Sequence, residues 1–213
     1  MSIGLLPLLR TDPVVFVLVV VALVLAIALH EYAHALAADL QGDRLPRAMG
    51  RLTLNPIKHL DPLGTVFLVI AGFGWGKPVE FRPSALASKR FGGAAVALAG
   101  PAMNALLGFV SAVLLVLLAR HASQSTVAIR FLATFMSINI LLAIFNLLPI
   151  PPLDGSRLLT IFLPPSRQHI LYFLDRYGFL ILVVVIVFGG TSVLAAVTDR
   201  ATSVVLDIAN ALT

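Results

Sequence analysis

The sequence predicts an all-α polytopic membrane protein with about four transmembrane helices, a short re-entrant element and room for a small β-hairpin. Hydrophobic residues make up 59% of the 213 residues and charged residues only 12%, whereas a soluble domain carries about 25% charged residues. The mean hydropathy is +1.00. Four apolar segments are long enough to cross a bilayer core of about 30 Å as helices. These values exclude a soluble domain, and the absence of cysteine excludes a disulfide scaffold.

The predicted spans are bounded by residues that start and stop helices. The first begins at Pro13, because proline is favoured in the first turn of a helix. The third is stopped by the cluster that starts at Pro149, since proline cannot continue a helix. After the fourth span, the weakly amphipathic tail 201–213 is expected to lie on the membrane surface. The predicted spans are 13–40, 91–119, 129–148 and 177–197.

The segment 63–76 is apolar, but it is too short and too often interrupted by glycine to be a membrane-crossing helix. We therefore predict a re-entrant element that enters and leaves on one side of the membrane. Residues of alternating polarity at 51–54 and 78–81 flank this element. They could form two short strands, and irregular loops fit the same residues equally well.

The distribution of Lys and Arg favours the re-entrant interpretation. If 63–76 does not cross, eleven of the fifteen Lys and Arg residues lie on one side and four on the other. Because short loops rich in Lys and Arg face the cytoplasm, the eleven-rich side is predicted to be cytoplasmic. If the segment crossed, this asymmetry would largely disappear. The basic residues are also scattered singly between apolar stretches, which favours contact with anionic lipid over nucleic acid.

His30, Glu31 and His34 form an H-E-x-x-H motif near the end of the first span. Residues i and i+4 share one face of a helix, so two imidazoles can hold one zinc ion while the glutamate serves as a general base. The His and Glu content of this chain predicts about 0.001 chance matches to the motif. A structural cluster of polar residues is the alternative, but ionisable groups inside a membrane are costly unless they serve a function.

Four further motifs follow HEYAH along the chain. They are RLTLNPIKHLDPLGT at 51–65, GWGKPV at 74–79, AGPAMN at 99–104 and NLLPIPPLDG at 146–155. Together the five motifs resemble those of the site-2 proteases, a family of intramembrane zinc metalloproteases, and the resemblance covers nearly the whole sequence. It implies a compact member without PDZ or CBS domains, in which residues 1–213 form a single membrane-embedded protease domain.

The resemblance implies a metal centre and a catalytic base. Asp154 joins His30 and His34 as the third ligand of one Zn²⁺ ion, and Glu31 is the base. The charge of zinc supports this ligand set, because two neutral imidazoles would leave the ion uncompensated in a low-dielectric site. The alternative for Asp154 is that the stretch PPLDG merely forms a turn.

Two asparagines and the stretch KHLDP supply the remaining polar candidates. In the family, the residue that Asn146 matches is associated with the substrate strand, and the residue that Asn104 matches lies on a helix packed close to the site. We predict both as substrate-binding residues, and a hydrogen bond between helices is the alternative for each. His59 and Asp61 could cap the re-entrant element, pair with each other or form a second metal site.

The predicted function is zinc-dependent intramembrane proteolysis. The substrates would be membrane-anchored proteins whose transmembrane helix unwinds and adds as a strand to an edge at 51–54 or 78–81. The predicted location is the cytoplasmic membrane of a prokaryote, with the site near the cytoplasmic face and no nucleic-acid partner. A metal transporter would show an inverted repeat and paired polar positions along several helices, and neither is visible. A catalytically silent scaffold would most simply lack Glu31 or a ligand.

Overall fold

The computed structural model describes residues 5–71, 74–121, 126–162 and 168–213. In this part of the chain, four helices are long and apolar enough to cross a membrane. The predicted all-α polytopic membrane fold is therefore confirmed. The four helices are Pro13–Leu40, Phe91–Arg120, Val127–Asn146 and Tyr172–Leu212.

The described residues form nine α-helices, joined by turns and two short 3₁₀ segments. The helices are α1 (Leu6–Thr11), α2 (Pro13–Leu40), α3 (Leu45–Ala48), α4 (Pro62–Ala71), α5 (Lys89–His121), α6 (Thr126–Asn146), α7 (Gly155–Phe162), α8 (Gln168–Val185) and α9 (Thr191–Leu212).

Helices α2 and α6 are tied together at their first residues. The Asp12 carboxylate accepts a hydrogen bond from the Val15 backbone N–H at 3.0 Å, and it pairs with Arg130 of α6 at 2.5 Å. The bond from Val15 and then the bond from Arg130 lower the pKa of Asp12. Both helices therefore start on one side of the membrane and run toward the other.

Helices α2, α5 and α6 form the centre of the molecule and meet through small side chains. Ala22 and Ala26 of α2 are buried in one cluster with Phe135 of α6. A Cβ atom added at Gly108 of α5 would lie 2.9 Å from Cγ1 of Ile140. Small residues allow helices in a bilayer to approach closely, because van der Waals packing, not exclusion of water, drives their association.

The segment around α4 enters the fold and returns to the place where it entered. Leu60 and Gly76 form an antiparallel bridge, and the Lys77 N–H donates to the His59 carbonyl at 2.7 Å. The ten residues of α4 are about 15 Å long, roughly half the hydrocarbon thickness. The two ends of the segment lie side by side, as the re-entrant interpretation requires.

The two short strands considered at 51–54 and 78–81 do not form in the described part of the chain. The Leu60–Gly76 bridge is an isolated pair there. The two flanks are linked instead by a side chain: the Arg51 guanidinium donates to the carbonyls of Lys58 and Lys77.

The C-terminal region differs from the expectation of a fourth span at 177–197 followed by a surface tail. Helix α8 ends in a π-helical turn with a left-handed Gly189, whose φ is +109°. Helix α9 then packs against α5 and α6, and Ala209 is fully buried in a cluster with Ala112 and Met136. Arg120 donates to the Asn210 carbonyl. Residues 201–212 therefore belong to a packed membrane helix, because one small-residue face of α9 fits the α5–α6 surface.

Candidate active site

The two histidines of H-E-x-x-H lie on one face of α2 and point at the same space. Their Nε2 atoms are 3.0 Å apart, and each residue is only 7% exposed. The i, i+4 spacing produces this arrangement, since it places the two rings one helical turn apart.

Asp154 reaches the histidines from the turn that follows α6. Its Oδ2 lies 3.0 Å from Nε2 of His30 and 3.3 Å from Nε2 of His34. The next residue, Gly155, makes the turn possible, because a Cβ there would lie 2.6 Å from the carbonyl oxygen of Leu148. Among the described residues, these three side chains form the one group whose donor atoms converge closely enough to hold a metal ion.

The hydrogen bonds behind the rings determine which nitrogen atoms carry protons. Nδ1 of His34 donates to the Val96 carbonyl at 2.7 Å, and Nδ1 of His30 is bonded to Oδ1 of Asn104. Both Nε2 atoms are then unprotonated, so each is a hydrogen-bond acceptor. They face each other and a carboxylate oxygen, which is also an acceptor. Three such acceptors in contact form a suitable site for a cation between them. Their separations are close to the roughly 3.3 Å between ligand atoms of a tetrahedral zinc site.

Gly100 of α5 leaves the space that such a cation needs. A Cβ atom at this position would lie 2.6 Å from Nε2 of His30 and would also contact Nε2 of His34. Helix α5 therefore passes the two rings without a side chain between them. The donor set and this cradle both fit a small divalent ion.

The metal-binding group opens on a cavity of about 590 Å³ that also contains Glu31 and Asn146. Its walls are mainly apolar and come from the returning segment 74–81, from α6 and from α8. The side-chain NH₂ of Asn146 donates to the Leu142 carbonyl at 3.0 Å, which leaves it one further proton to donate. A cavity of this size and shape accommodates an extended stretch of peptide beside the metal-binding group.

Arg51 places a buried positive charge behind Glu31. Its Nη2 lies 3.9 Å from Oε2 of Glu31, and its side chain is 4% exposed. Burial lowers the pKa of the Arg51 guanidinium, whereas the negative charges of Glu31 and Glu80 raise it. The resemblance placed Arg51 in a motif, but sequence reasoning assigned it no role at the site.

The structure places Asn104 differently from the substrate-binding role predicted for it. Asn104 is fully buried behind His30 and is not among the cavity-lining residues. Its Nδ2 donates to Oδ1 of Asn139, a fully buried residue of α6 that sequence reasoning missed. The signal that could have revealed Asn139 is a lone amide in the middle of an apolar helix. This placement favours support of His30 over substrate contact for Asn104.

His59 and Asp61 remain apart from the metal-binding group. Oδ1 of Asp61 accepts the Gly64 N–H at 2.8 Å, which is a capping bond at the start of α4. His59 is fully buried, and its Nε2 lies 2.7 Å from the Thr53 carbonyl. Burial lowers the pKa of His59, with a smaller opposing effect from the Thr53 carbonyl. Of the three alternatives for this stretch, the structure favours the capping role, which Asp61 performs.

Comparisons with known proteins find a family and several relatives. The profile of peptidase family M50 matches residues 18–125 and 118–190. "Putative zinc metalloprotease YwhC" of Bacillus subtilis is 39% identical over 173 residues, which cover 79% of each chain. "Putative zinc metalloprotease Rip2" of Mycolicibacterium smegmatis is 36% identical over 81% of this chain and 68% of its own. The protein of the same name from Mycobacterium tuberculosis is 32% identical over 80% of this chain and 66% of its own. No solved structure matches the chain significantly.

Proposed function

The chain belongs to peptidase family M50, the site-2 protease family, and we propose that it cleaves membrane-anchored proteins in or near their transmembrane segments. It is a zinc metalloprotease by this membership and a multi-pass membrane protein by its four apolar helices. The observation that supports the substrate class is the convergence of His30, His34 and Asp154 beside Glu31, inside a cavity bordered by membrane-spanning helices. The proposed role is regulated intramembrane proteolysis, with the helices acting as one protease domain.

His30, His34 and Asp154 would hold the zinc ion through two neutral imidazoles and one carboxylate. This set leaves a single net positive charge, which is a suitable balance for a site with few other charges. When bound, zinc supplies Lewis acidity, which polarises the scissile carbonyl and lowers the pKa of the attacking water toward about 7.

Glu31 acts as the general base and later as the general acid. Its carboxylate takes a proton from the attacking water and delivers that proton to the leaving amine. It follows His30 directly in α2, lines the same cavity and has the Arg51 charge 3.9 Å away. The surrounding apolar walls limit the access of bulk water to the reacting groups.

The returning segment supports the positioning of substrate. A transmembrane helix has its carbonyl groups in i→i−4 hydrogen bonds, so it must unwind before one of them can be attacked. In the described part of the chain, residues 77–82 form no helix or strand, and Pro78, Val79 and Phe81 line the cavity. An unwound substrate can add its backbone beside this segment, and the remaining NH₂ proton of Asn146 can bond to it.

The site end of the bundle is proposed to face the cytoplasm. It lies opposite the Asp12–Arg130 pair, because α2 and α6 both run from that pair toward the site. The loops at the site end carry the exposed side chains of Arg44, Arg47 and Arg82. This excess of basic residues is typical of the cytoplasmic face.

Substitution of Glu31 by Gln tests the catalytic assignment. We expect Glu31→Gln to bind zinc like the parent protein and to lose at least about 100-fold in cleavage of a membrane-anchored reporter, since an amide cannot accept the proton. Zinc per protein in purified detergent samples and cleavage of one reporter are the measurements. Cleavage by Glu31→Gln near the parent rate would remove Glu31 from the role of base.

The ligand set is tested with two matched aspartates. Asp154→Asn is expected to lose stoichiometric zinc and all cleavage, because the amide does not supply the negative charge. Asp61→Asn is the control, since asparagine also caps helices and Asp61 lies outside the metal-binding group. If Asp154→Asn kept its zinc while Asp61→Asn lost it, the ligand set would have to be redrawn around residues 59–61.

A metal transporter is less well supported. A transport path requires successive groups of ligands across the membrane. The residues that the structure describes contain a single converging group of His, Asp and Glu side chains.

A further inference from the structure

We propose that Asn139 is a positioning residue that determines which nitrogen of His30 carries the proton, and thereby keeps Nε2 of His30 available to the metal. This inference rests on the proposed zinc site. It concerns a side chain on α6 that is fully buried, lies outside the cavity and does not touch the metal-binding group directly.

A chain of hydrogen bonds joins Asn139 to His30 across three helices. Nδ2 of Asn139 donates to the Phe135 carbonyl at 2.8 Å. Nδ2 of Asn104, on α5, donates to Oδ1 of Asn139 at 2.8 Å. Oδ1 of Asn104 is in turn bonded to Nδ1 of His30, on α2. The two asparagines are fully buried and His30 is 7% exposed.

The direction of every bond in this chain follows from its first member. A backbone carbonyl can only accept, so Asn139 must turn its NH₂ group toward Phe135 and its oxygen toward Asn104. Asn104 must then donate through its own NH₂ group and present its oxygen to His30. That oxygen can only accept, so the proton of His30 lies on Nδ1 and the lone pair lies on Nε2.

Asn104 alone would not hold this arrangement firmly, because an amide presents a donor or an acceptor according to how it is turned. If the amide turned over, its NH₂ group would face Nδ1 of His30, and the proton would move to Nε2, where it would point at the metal. Among the described residues, Nδ2 of Asn104 makes one other hydrogen bond, a longer one of 3.4 Å to the Ala26 carbonyl. Asn139 accepts the shorter bond and therefore contributes most to holding the Asn104 amide in this direction.

His34 also has a hydrogen-bond partner that holds the proton on Nδ1. Nδ1 of His34 donates straight to the Val96 carbonyl, which cannot turn over. Histidine ligands commonly donate their other ring N–H to such a partner, and loss of the partner weakens metal binding by about 10- to 100-fold. For His30 the nearest partner is an amide, so a second residue has to set its direction.

The competing explanation is that Asn139 only joins two helices through a hydrogen bond. The two explanations differ in the zinc affinity of the folded protein. Loss of a purely structural bond would lower the unfolding midpoint and leave the zinc affinity unchanged, whereas loss of an orienting bond weakens zinc binding. Replacement of Asn104 by Asp then tests the cause of the weakening, because a carboxylate offers an acceptor to Nδ1 of His30 whichever way it is turned and needs no orientation from Asn139.

The experiment measures zinc affinity by competition with a chelator in purified full-length protein. Asn139→Leu, which keeps the branched shape of the side chain and removes its polar atoms, is expected to bind zinc about tenfold more weakly, the lower end of the range for such partners. Asn139→Ala is the second variant, since it introduces no larger side chain. Ser111→Ala is the matched control, because Ser111 is buried on α5 and its one hydrogen bond among the described residues is to the Leu107 carbonyl of its own helix. Thermal unfolding without zinc monitors the fold.

The decisive comparison uses Asn104→Asp. Asn139→Leu should weaken zinc binding about tenfold in the parent protein and less than about twofold in the Asn104→Asp background. An equal loss in both backgrounds, or no loss in the parent, would overturn the proposed role of Asn139. Failure of the zinc site itself is distinguished by His30→Ala: if that variant kept the parent affinity, the proposed function would fall first, and this inference with it.

Discussion

At Gly100, helix α5 passes the two metal-binding histidines with no side chain between them. The Cβ that any other residue would add there lies 2.6 Å from Nε2 of His30, which is closer than a van der Waals contact between the two atoms allows. The space is therefore available only to glycine and to the ion. Close packing of helices explains many glycines in membranes, but at this position the neighbours are the ligand atoms themselves.

Gly100→Ala is predicted to abolish stoichiometric zinc binding, because the added methyl group occupies the cradle and displaces both rings. The control is Gly93→Ala on the same helix, where an added Cβ meets nothing within 4 Å. Zinc per protein, measured by elemental analysis of both purified variants, decides the matter. Full zinc content in Gly100→Ala would show that the ligands close from another direction.

At the scale of the element, the re-entrant segment has two roles: it lines the cavity proposed for substrate, and its path sets the side of the membrane on which its neighbouring loops lie. Its two ends meet at the Leu60–Gly76 bridge, and the returning half lines the cavity beside Glu31. Arg51 fastens both flanks by donating to the carbonyls on either side. Because the segment does not cross the membrane, the loops before and after it lie on the same face as the metal-binding group.

The orientation of this element can be tested with single cysteines, since the chain contains none of its own. Ser84 is exposed on the loop that follows the segment, and Thr11 is exposed before α2 at the opposite end of the bundle. An impermeant maleimide applied to spheroplasts is expected to label Thr11→Cys and to leave Ser84→Cys unlabelled until the membrane is permeabilised. Immediate labelling of Ser84→Cys would contradict a cytoplasmic site.

At the scale of the whole molecule, helix α9 completes the packed bundle. It covers the surface of α5 and α6 near the end remote from the site, with Ala209 buried against Ala112 and Met136. The π-helical turn at 186–190 lets the chain change direction between α8 and α9. Helix α8 is consequently free to border the cavity, where Phe179 and Leu182 form part of the wall.

Ala209→Leu is predicted to lower the thermal unfolding midpoint, because overfilling a packed interface costs about 1–3 kcal/mol. Ile208→Leu is the matched control, since Ile208 is 47% exposed on the outer face of the same helix. Unfolding curves of the two detergent-purified variants provide the comparison. Equal midpoints for Ala209→Leu and the parent would place residues 201–212 away from the bundle, as a surface tail requires.

The sequence alone determined the membrane class, and it predicted the first three spans and the residues of the proposed metal-binding group. Segment length and composition can be compared directly with the thickness of a bilayer. The H-E-x-x-H motif predicts the arrangement of its two histidines, because residues i and i+4 lie on the same face of a helix. The re-entrant path of 63–76 could also be predicted from the sequence, because the unequal distribution of Lys and Arg indicates which loops lie on the same side of the membrane.

Only the tertiary structure decided which polar groups face each other between helices. It placed Asn104 behind His30 and joined it to Asn139, it brought Arg51 beside Glu31, and it packed α9 into the bundle. None of these follows from spacing along one helix, because each depends on the rotation of a second helix about its axis. That rotation is set by the sum of many small packing contacts, which a single sequence does not display.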